Sequence, residues 1–334
     1  MGNTLLLTPL IAELEKHYKG AEIDILCEGG IAREVFATFF SVKNVFCLPK
    51  RGFKHPLAFL RLLLGMRRTR YDLVIDPSIG SGFGRAVTRF LKGRFKIGFS
   101  DNAASPGLTH GAPASVAMRH MAKRPVNLVR YLSDYRGNDQ TDIPPLDIRL
   151  SEEERALGRH AVSELLEPSP NAGTPLVVGI FANATGAKRH PGVWWDEFIR
   201  AFLERVPHAH VVEILPAHGQ SMLGDAWPGY YSSDIRRMAA VMAATDLIVT
   251  ADCGVMHLAV ASRVPTAGLF SVTDAAVYAP YGPGNLALST PGVTASDAAR
   301  HIALAYPALS RQAAVSNRPP DPPRRGYPES SAVR

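Results

Sequence analysis

Four residues in the second half of the sequence have types and spacing that suit the binding of an anion. Asp252, Cys253 and Gly254 form a short polar corner, and His257 follows three residues later. Glycine lets a backbone come close to a bound group, aspartate accepts hydrogen bonds from hydroxyls, and histidine changes charge near neutral pH. The same residues also suit a structural role, in which Asp252 caps a helix and His257 is a satisfied core histidine. The local pattern favours the two interpretations equally.

The elements on either side of this corner predict where it lies. Residues 247–250 form a β-branched run too brief for a helix, and from position 255 the apolar residues recur at helical spacing. Residues 267–270 are apolar enough to be the next buried strand. In such a unit the turn lies at the carboxyl edge of a parallel sheet, where the first N–H groups of the helix are unpaired and its dipole end is positive. The sequence therefore predicts an anion site at this edge, above all for a phosphate.

The length and composition predict a globular protein with two domains. A chain of 334 residues is long enough for two α/β domains, which we place at residues 1–145 and 146–310, with a Pro-rich connection at 142–146. Residues 311–334 are rich in Pro and Arg and predict a disordered tail. The three cysteines lack metal-ligand spacing and are odd in number, so neither a zinc site nor a disulfide framework is implied and we expect a reduced compartment. Neither a signal peptide nor a membrane-spanning segment is indicated, so we expect a cytoplasmic protein.

The net charge of +7 is concentrated in one segment of the first half, which has few acidic residues. Its basic residues are Lys50, Arg51, Lys54, Arg61, Arg67, Arg68, Arg70, Arg85, Arg89, Lys92, Arg94 and Lys96. Membrane headgroups, a phosphorylated glycolipid and nucleic acid are all candidate partners on charge alone. No nucleic-acid-binding motif accompanies the basic residues, and a merely solvated basic face is an equally good interpretation.

The start of the sequence lacks an element that a doubly wound domain normally has. Residues 2–14 read as a glycine-containing loop that runs into a helix, whereas such a domain opens with a buried strand ahead of that loop. Strands are predicted at 21–26, 45–48, 71–76 and 176–181, and a capped helix is predicted to begin at Ser151. The glycine-rich loop after the strand at 71–76 has Arg85 where a dinucleotide fingerprint needs its third glycine, so we favour a plain loop over a nicotinamide or flavin site.

Three separated pieces of the sequence together resemble glycosyltransferase family 9, the ADP-heptose:lipopolysaccharide heptosyltransferases and their relatives. They are Gly-Asn-Thr-Leu-Leu-Leu-Thr-Pro-Leu at 2–10, Lys-Arg-His-Pro at 188–191 followed by Trp194 or Trp195, and Asp-Cys-Gly-Val-Met-His-Leu-Ala at 252–259. The family's patterns are a G-D-x-L-L-x-x-P-L opening, a K-R-W-P loop and a D-S-G-P-M-H-L-A turn. Residues 71–76 and 120–130 also fit its Y-D-L-V-I-D strand and H-x-x-x-R-x-x-N helix. The resemblance extends from residue 2 to residue 285.

The resemblance implies a GT-B architecture, in which two facing Rossmann-like, doubly wound domains bind the acceptor in the N-terminal half and the nucleotide sugar in the C-terminal half. It implies an inverting transfer without a metal or a cofactor, in which positive charge neutralises the departing diphosphate. Lys188 would lie beside that diphosphate as a point charge, and Asp252 would hold hydroxyls of the sugar or ribose. The donor-binding residues that the resemblance implies are Lys188, Asp252, Cys253, Gly254, Met256 and His257, with Asn183 and Thr185 as further contacts.

The resemblance also implies the substrates. The donor would be an ADP-sugar or another nucleotide-diphospho-sugar, and the acceptor a lipopolysaccharide core or another surface glycan. The basic segment would then face an anionic glycolipid, with peripheral contact at the inner face of the inner membrane.

Several positions depart from the family's patterns. Asn3 stands where the family has its general base, and an amide cannot take a proton from an attacking hydroxyl. His190, Cys253 and Val255 replace a tryptophan, a serine or threonine, and a proline. The missing first strand would leave a gap in the middle of the N-terminal sheet, either because the true start lies upstream or because this domain is built differently.

These departures leave three interpretations open. They are a glycosyltransferase, which would need another base such as Asp76 or Asp101 if it uses one; a non-catalytic nucleotide-sugar-binding relative in envelope assembly; and a GT-B epimerase that acts on a nucleotide sugar.

Overall fold

The computed structural model describes residues 1–49, 56–101, 106–133, 142–166 and 175–307. The tail predicted at 311–334 and three of the basic residues, Lys50, Arg51 and Lys54, lie outside these ranges. The order of elements is a nearly regular alternation of strands and helices, as the sequence predicts.

In the described residues of the N-terminal half there are six α-helices and five strands. The helices are α1 (Gly2–Leu5), α2 (Thr8–His17), α3 (Ile31–Val35), α4 (Pro56–Arg68), α5 (Gly82–Phe90) and α6 (Lys123–Leu132). The strands are β1 (Ile23–Glu28), β2 (Val42–Leu48), β3 (Arg70–Asp76), β4 (Lys92–Phe99) and β5 (His110–Ala112). The loop expected at the very start is instead the helical turn α1, which Leu6 and Leu7 separate from α2.

These five strands form two separate parallel sheets. In the described part of the chain, β1 pairs with β2 alone, and β3 pairs with β4, which pairs in turn with β5. A cavity of 1810 Å³ lies between the facing edges of β1 and β3 and is lined by residues of both strands. The gap predicted in the middle of the N-terminal sheet is therefore present.

Residues 142–166 and 175–307, the described part of the C-terminal half, form six α-helices and one six-stranded parallel sheet. The helices are α7 (Glu152–Leu165), α8 (Gly192–Leu203), α9 (Ile235–Ala243), α10 (Gly254–Ala261), α11 (Ala275–Tyr278) and α12 (Ala295–Ala305). The strands are β6 (Leu176–Phe181), β7 (Ala209–Ile214), β8 (Gly229–Tyr230), β9 (Leu247–Ala251), β10 (Thr266–Phe270) and β11 (Leu286–Ser289). Read from β8, the order across the sheet is β8-β7-β6-β9-β10-β11, the 3-2-1-4-5-6 order of a doubly wound fold. Every residue of the central strands β6 and β9 is buried.

A shared hydrophobic cluster joins the two halves. Leu5 and Phe36 from the N-terminal half belong to the same cluster as Met238 and Leu258 from the C-terminal half. The connection between the halves packs onto this cluster, and the backbone N–H of Ile148 donates to the carbonyl of Ala261 at 2.9 Å. The carboxyl edges of the two sets of strands are thereby held near one another.

Among the described helices, none is long and apolar enough to cross a membrane.

Candidate functional site

The turn between β9 and α10 is the centre of the candidate site. β9 ends at Ala251, Asp252 and Cys253 follow, and α10 begins at Gly254, so the predicted strand, turn and helix are all present. Cys253 is the N-cap residue and has an extended backbone, with φ −157° and ψ 179°. The structural alternative for Asp252, a helix cap, is therefore wrong, because the neighbouring residue holds that position.

Asp252 is instead paired with Lys188, which comes from a different loop. Lys188 Nζ lies 2.7 Å from Asp252 Oδ2. The carboxylate is only 4% exposed, whereas the lysine side chain is 31% exposed. The two residues follow β6 and β9, which are neighbours in the sheet, and parallel neighbours end at the same edge. The structure thus brings together two predicted site residues that are far apart in the sequence, with a cation at the mouth of the site and an anion beneath it.

The loop that carries Lys188 is held by contacts on both sides. A short helical turn spans Gly186–Lys188, and Gly186 has φ +60°, a conformation that favours glycine. The hydroxyl of Ser271, directly after β10, donates to the carbonyl of Ala187 at 3.2 Å. His190 stacks on Trp194 with ring centroids 4.1 Å apart. These contacts hold the loop in place and thereby position the side chain of Lys188 at the edge of the sheet.

His257 lies in the first turn of α10 and is a neutral group at physiological pH. Its residue is 5% exposed, and burial lowers its pKa from 6.5 to about 4. The carboxylate of Asp252 opposes this pKa shift, whereas His120 and Lys188 add to it. A neutral imidazole can donate and accept hydrogen bonds but adds no charge to an anion site. The structure therefore supports a polar role for His257 rather than an electrostatic one.

The start of the chain packs directly on this turn. A Cβ on Gly2 would lie 3.2 Å from His257 Cδ2 and 3.3 Å from Gly254 Cα, and a Cβ on Gly254 would lie 3.3 Å from the backbone nitrogen of Gly2. Glycine at both positions allows this approach. The contact brings α1 and its exposed Asn3 to the edge where Lys188 and Asp252 lie. Two of the sequence pieces that resemble the family, the one that begins at Gly2 and the one that contains Gly254, are therefore in contact.

Next to this contact, residues of the N-terminal half form hydrogen bonds and a ring contact with residues of the C-terminal half. The backbone N–H of Met121 donates to the carbonyl of Val277 at 3.0 Å. His120 Nε2 lies 2.9 Å from the carbonyl oxygen of Ala279, and its ring meets that of Tyr281 edge to face at 5.1 Å. Burial lowers the pKa of His120. The segment around His120 therefore acts as a contact between the halves, next to the candidate site.

The remaining predicted donor residues occupy different environments. Met256 is fully buried, and a Cβ on Gly268 would lie 2.5 Å from its sulfur, so its side chain packs against β10 rather than facing the turn. Burial raises the pKa of the Cys253 thiol, whose sulfur lies 3.7 Å from the Thr250 hydroxyl. Asn183 is half-buried and Thr185 is exposed, both on the loop after β6. A ligand contact by Met256 would have to come from its main chain.

The two alternative carboxylates lie in the N-terminal half. Asp76 ends β3 and is 5% exposed, and its Oδ1 accepts from the backbone N–H of Ser78 at 3.2 Å. Asp101 is exposed and accepts from the backbone N–H of Ala114 at 2.8 Å. Among the described residues, neither forms a hydrogen bond or an ion pair with the turn at Asp252.

One polar residue of the site edge, Ser271, was not predicted from the sequence. The signal that could have found it is its position directly after the buried strand β10, next to β9 in the sheet. A polar residue at that place lies at the same carboxyl edge as Asp252.

The sequence and the fold both match known proteins. Residues 59–301 match the family model of glycosyltransferase family 9 (heptosyltransferase). No curated protein matches the chain.

Several solved structures are similar to this fold. The glycosyl transferase family 9 protein from Veillonella parvula DSM 2008 is 17% identical, with 93% of this chain and 94% of that chain covered and a TM-score of 0.74. E. coli heptosyltransferase WaaC with ADP is 20% identical, with 92% and 96% covered and a TM-score of 0.68. E. coli ADP-heptose lps heptosyltransferase II is 17% identical, with 94% and 96% covered and a TM-score of 0.68. These likenesses confirm the predicted GT-B fold.

Proposed function

This chain belongs to glycosyltransferase family 9, and on that premise we propose that it moves a heptose-like sugar from a nucleotide-diphospho-sugar to a lipopolysaccharide core or another surface glycan. Membership of the family makes the chain a glycosyltransferase. The donor we propose is an ADP-sugar, because the E. coli heptosyltransferase WaaC has been solved with ADP and with ADP-2-deoxy-2-fluoro heptose.

The observation that carries the proposal is the pair formed by Lys188 and Asp252 at the start of α10. The side chain of Lys188 is 31% exposed at the mouth of the site, and its ammonium can contact the diphosphate. The unpaired N–H groups and positive dipole end of a helix N-terminus favour the same anion. Asp252 lies deeper, where its carboxylate can accept hydrogen bonds from sugar or ribose hydroxyls. The cation and the helix end thus suit the diphosphate of a nucleotide-diphospho-sugar, and the buried acceptor suits a hydroxyl of its sugar or ribose.

The proposed reaction is one displacement with inversion. The acceptor oxygen forms a bond to the anomeric carbon on the face opposite the diphosphate, the bond from that carbon to the diphosphate oxygen breaks, and the acceptor proton leaves to a base or to solvent. Lys188 and the start of α10 stabilise the negative charge that develops on the leaving diphosphate. No metal and no cofactor takes part in this scheme.

The matching position of this chain lacks the general base that would accept the proton of the acceptor hydroxyl. Asn3 is exposed on α1, next to the Gly2 contact with the donor turn, but its amide is not a base. The amide at position 3 supports a second candidate function, in which this family member binds nucleotide sugars without transferring them.

Donor binding and transfer must be measured together to separate the two candidates. We expect calorimetry to show binding of ADP and of an ADP-sugar, with UDP as the comparison nucleotide. We expect a product assay with purified lipopolysaccharide core to show transfer of the sugar. Binding without transfer would support the non-catalytic relative. Absence of nucleotide binding would contradict both candidates.

We further propose that the acceptor side meets a membrane surface through α4 and α5. Leu57 is 81% exposed and Phe83 is 51% exposed, and the rings of Phe59 and Phe83 join the two helices at 5.9 Å. Arg61 and Arg68 are exposed on α4. An apolar face flanked by arginines fits an anionic bilayer, since each basic residue near such a surface contributes about 1 kcal/mol.

Vesicle binding tests this surface. We expect the chain to sediment with phosphatidylglycerol-containing vesicles at low salt, and Leu57→Asp to reduce that binding. Leu304→Asp is the matched control, because Leu304 is 71% exposed on α12 in the other half. Equal loss in both variants would contradict the assignment of the surface.

A further inference from the structure

Two of the three cysteines lie side by side on the neighbouring strands β1 and β2. In the parallel pairing of these strands Cys27 is the register partner of Cys47, and each is the last residue but one of its strand. Neighbouring strands lie about 4.8 Å apart, and the two Cα atoms of a disulfide are usually about 4.4–6.8 Å apart. The backbone spacing therefore permits a bond between the two sulfurs.

The side chains of Cys27 and Cys47 lie on the same face of this two-stranded sheet. Ile25 and Val45, two residues earlier on each strand, are also register partners, and both contribute to the hydrophobic cluster that contains α3. Because side chains alternate along a strand, the two cysteines lie on the face that carries Ile25 and Val45. Cys27 itself packs against that cluster.

The thiol of Cys27 reaches across to β2. Its Sγ lies 3.7 Å from the carbonyl oxygen of Phe46, the residue before Cys47. Burial raises the pKa of the Cys27 thiol and the thiol of Cys47 raises it further, whereas the guanidinium of Arg33 opposes this shift. An effect of one thiol on the pKa of another acts only between close neighbours. Both cysteines are half-buried, so part of each residue remains in contact with solvent.

The third cysteine has a different environment. Cys253 lies in the C-terminal half at the start of α10, and its sulfur is 3.7 Å from the hydroxyl of Thr250. It therefore serves as an internal control for any chemistry that needs two adjacent thiols.

We propose that Cys27 and Cys47 form a modification site for a low-molecular-weight disulfide such as oxidised glutathione, and that the bond formed between them fastens β2 to β1. In a reducing compartment a protein disulfide is usually transient and redox-sensing. Neither a nucleotide sugar nor an acceptor takes part in this chemistry.

The bond forms by two thiol–disulfide exchanges. The thiolate of one cysteine attacks a sulfur of the small disulfide, which forms a mixed disulfide and releases one small thiol. The thiolate of the second cysteine then attacks the protein sulfur of the mixed disulfide and releases the second small thiol. Two protein thiols are oxidised to one disulfide, the small disulfide is reduced to two thiols, and these take up the two protons.

The bond would act on α3 and on its contact with the other half. α3 lies between the two cysteines in the chain, so the disulfide closes a loop around it. In the described part of the chain β1 pairs with β2 alone, and an isolated pair of strands is only marginally stable. On α3, Glu34 Oε2 accepts from the backbone N–H of Ile235 at 3.1 Å. Oxidation should therefore hold β2, and with it this contact, more firmly.

Thiol counting on the full chain tests the site. The chain is incubated for hours with oxidised glutathione or with dithiothreitol and quenched in acid, and its thiols are counted by alkylation and mass spectrometry after unfolding. We expect three thiols in the reduced chain and one in the oxidised chain, with Cys27 and Cys47 in one linked peptide. Cys253→Ser should still form this disulfide, whereas Cys47→Ser should form no internal disulfide.

Two further measurements examine the proximity of the thiols and the effect of the bond. Phenylarsine oxide, which bridges adjacent thiols without an oxidant, should bind to the reduced chain and not to Cys27→Ser. Amides of β2 should exchange with solvent at least about tenfold more slowly in the oxidised chain. Amides of β7 should exchange equally in both forms.

Three of these outcomes would overturn the site itself. They are three thiols after oxidation, a disulfide that contains Cys253, and arsenic bridging without a disulfide. A disulfide found only in molecules of doubled mass would also overturn it, because the bond would then join two copies of the chain. Equal exchange of the β2 amides in the oxidised and reduced chains would overturn the proposal that the bond fastens β2 to β1.

Discussion

Replacing Lys188 by alanine is the most direct test of the donor site. The ion pair joins a half-exposed ammonium to a carboxylate that is almost fully buried, at 2.7 Å. If the diphosphate of the donor binds at the ammonium, the variant loses a hydrogen bond to a charged group, worth about 1.5–3 kcal/mol. That loss corresponds to about a tenfold to hundredfold rise in Kd for ADP, since each 1.4 kcal/mol is a factor of ten. The exposure of Lys188 favours the lower end of this range, because water screens part of the interaction.

Asp252 adds a second contribution to the same experiment. Without Lys188 its buried carboxylate has no cation beside it at that position, and it would repel a bound diphosphate. Removing Asp252 as well removes this repulsion together with the hydroxyl contact proposed for it, so the two substitutions should not be additive in a double-mutant cycle. Additive losses would show that the two residues act on different parts of the ligand.

Isothermal titration with ADP at constant ionic strength is the assay, with Arg189→Ala as the matched control. Arg189 is the next residue of the loop and its side chain is exposed, so its removal changes the net charge equally but should change the Kd by less than about twofold. An unchanged Kd in Lys188→Ala would refute the assignment. An equal loss in Arg189→Ala would mean that the loop attracts ADP only by its overall charge.

Three further predictions address the rest of the molecule. Because the pKa of His257 is about 4 when folded and 6.5 when free, the free energy of unfolding should fall by about 3 kcal/mol as the pH drops from 7 to 4. Denaturant titrations at several pH values should show that this fall in the free energy of unfolding is lost in His257→Asn. It should be kept in His218→Asn, because His218 is exposed. Asn3→Asp should raise turnover about a hundredfold or more in the product assay if a base is what the site lacks, and unchanged turnover would place the base elsewhere. Arg130→Met should cost about 3–5 kcal/mol in urea unfolding, because the fully buried Glu13 loses the guanidinium at 2.5 Å and keeps His17 at 3.0 Å. Adding Glu13→Leu should recover much of that loss.

The sequence predicts best those elements whose pattern is decided locally. The strand predicted at 176–181 has the bounds of β6, because a continuous apolar run between polar segments has few other places to go. The helix start at Ser151 carries the predicted capping box, in which Ser151 and Glu154 each accept a hydrogen bond from the other's backbone. In both cases the information lies within a few residues.

The elements that sequence reasoning missed depend on distant partners. β8 is only Gly229–Tyr230, and it is a strand because it pairs with β7. α1 contains glycine and asparagine, which favour loops, and its contact with the start of α10 accompanies the helical turn seen instead. Such contacts leave no periodic pattern in the segment itself.

In the candidate site, too, the features decided by neighbouring residues were predicted and those that depend on distant residues were not. The turn at Asp252 was predicted from its own neighbourhood, but its pairing with Lys188 joins residues 64 positions apart. Only the family resemblance singled out Lys188, since an isolated loop lysine has no local signal. The error about the helix cap had a local origin, because Asp is a far commoner N-cap than Cys, and the cap position fell one residue later.

The stacking of His190 on Trp194 gives the molecule an optical property. All three tryptophans lie in the C-terminal half, at Trp194, Trp195 and Trp227, and Trp194 is in contact with the ring two residues after Lys188. A displacement of this loop changes the stacking, and with it the emission of Trp194. The N-terminal half has no tryptophan and is silent in the same experiment. A change in intrinsic fluorescence on adding a nucleotide therefore reports on the C-terminal half without a label, and replacing Trp194 by phenylalanine shows which part of it comes from the donor loop.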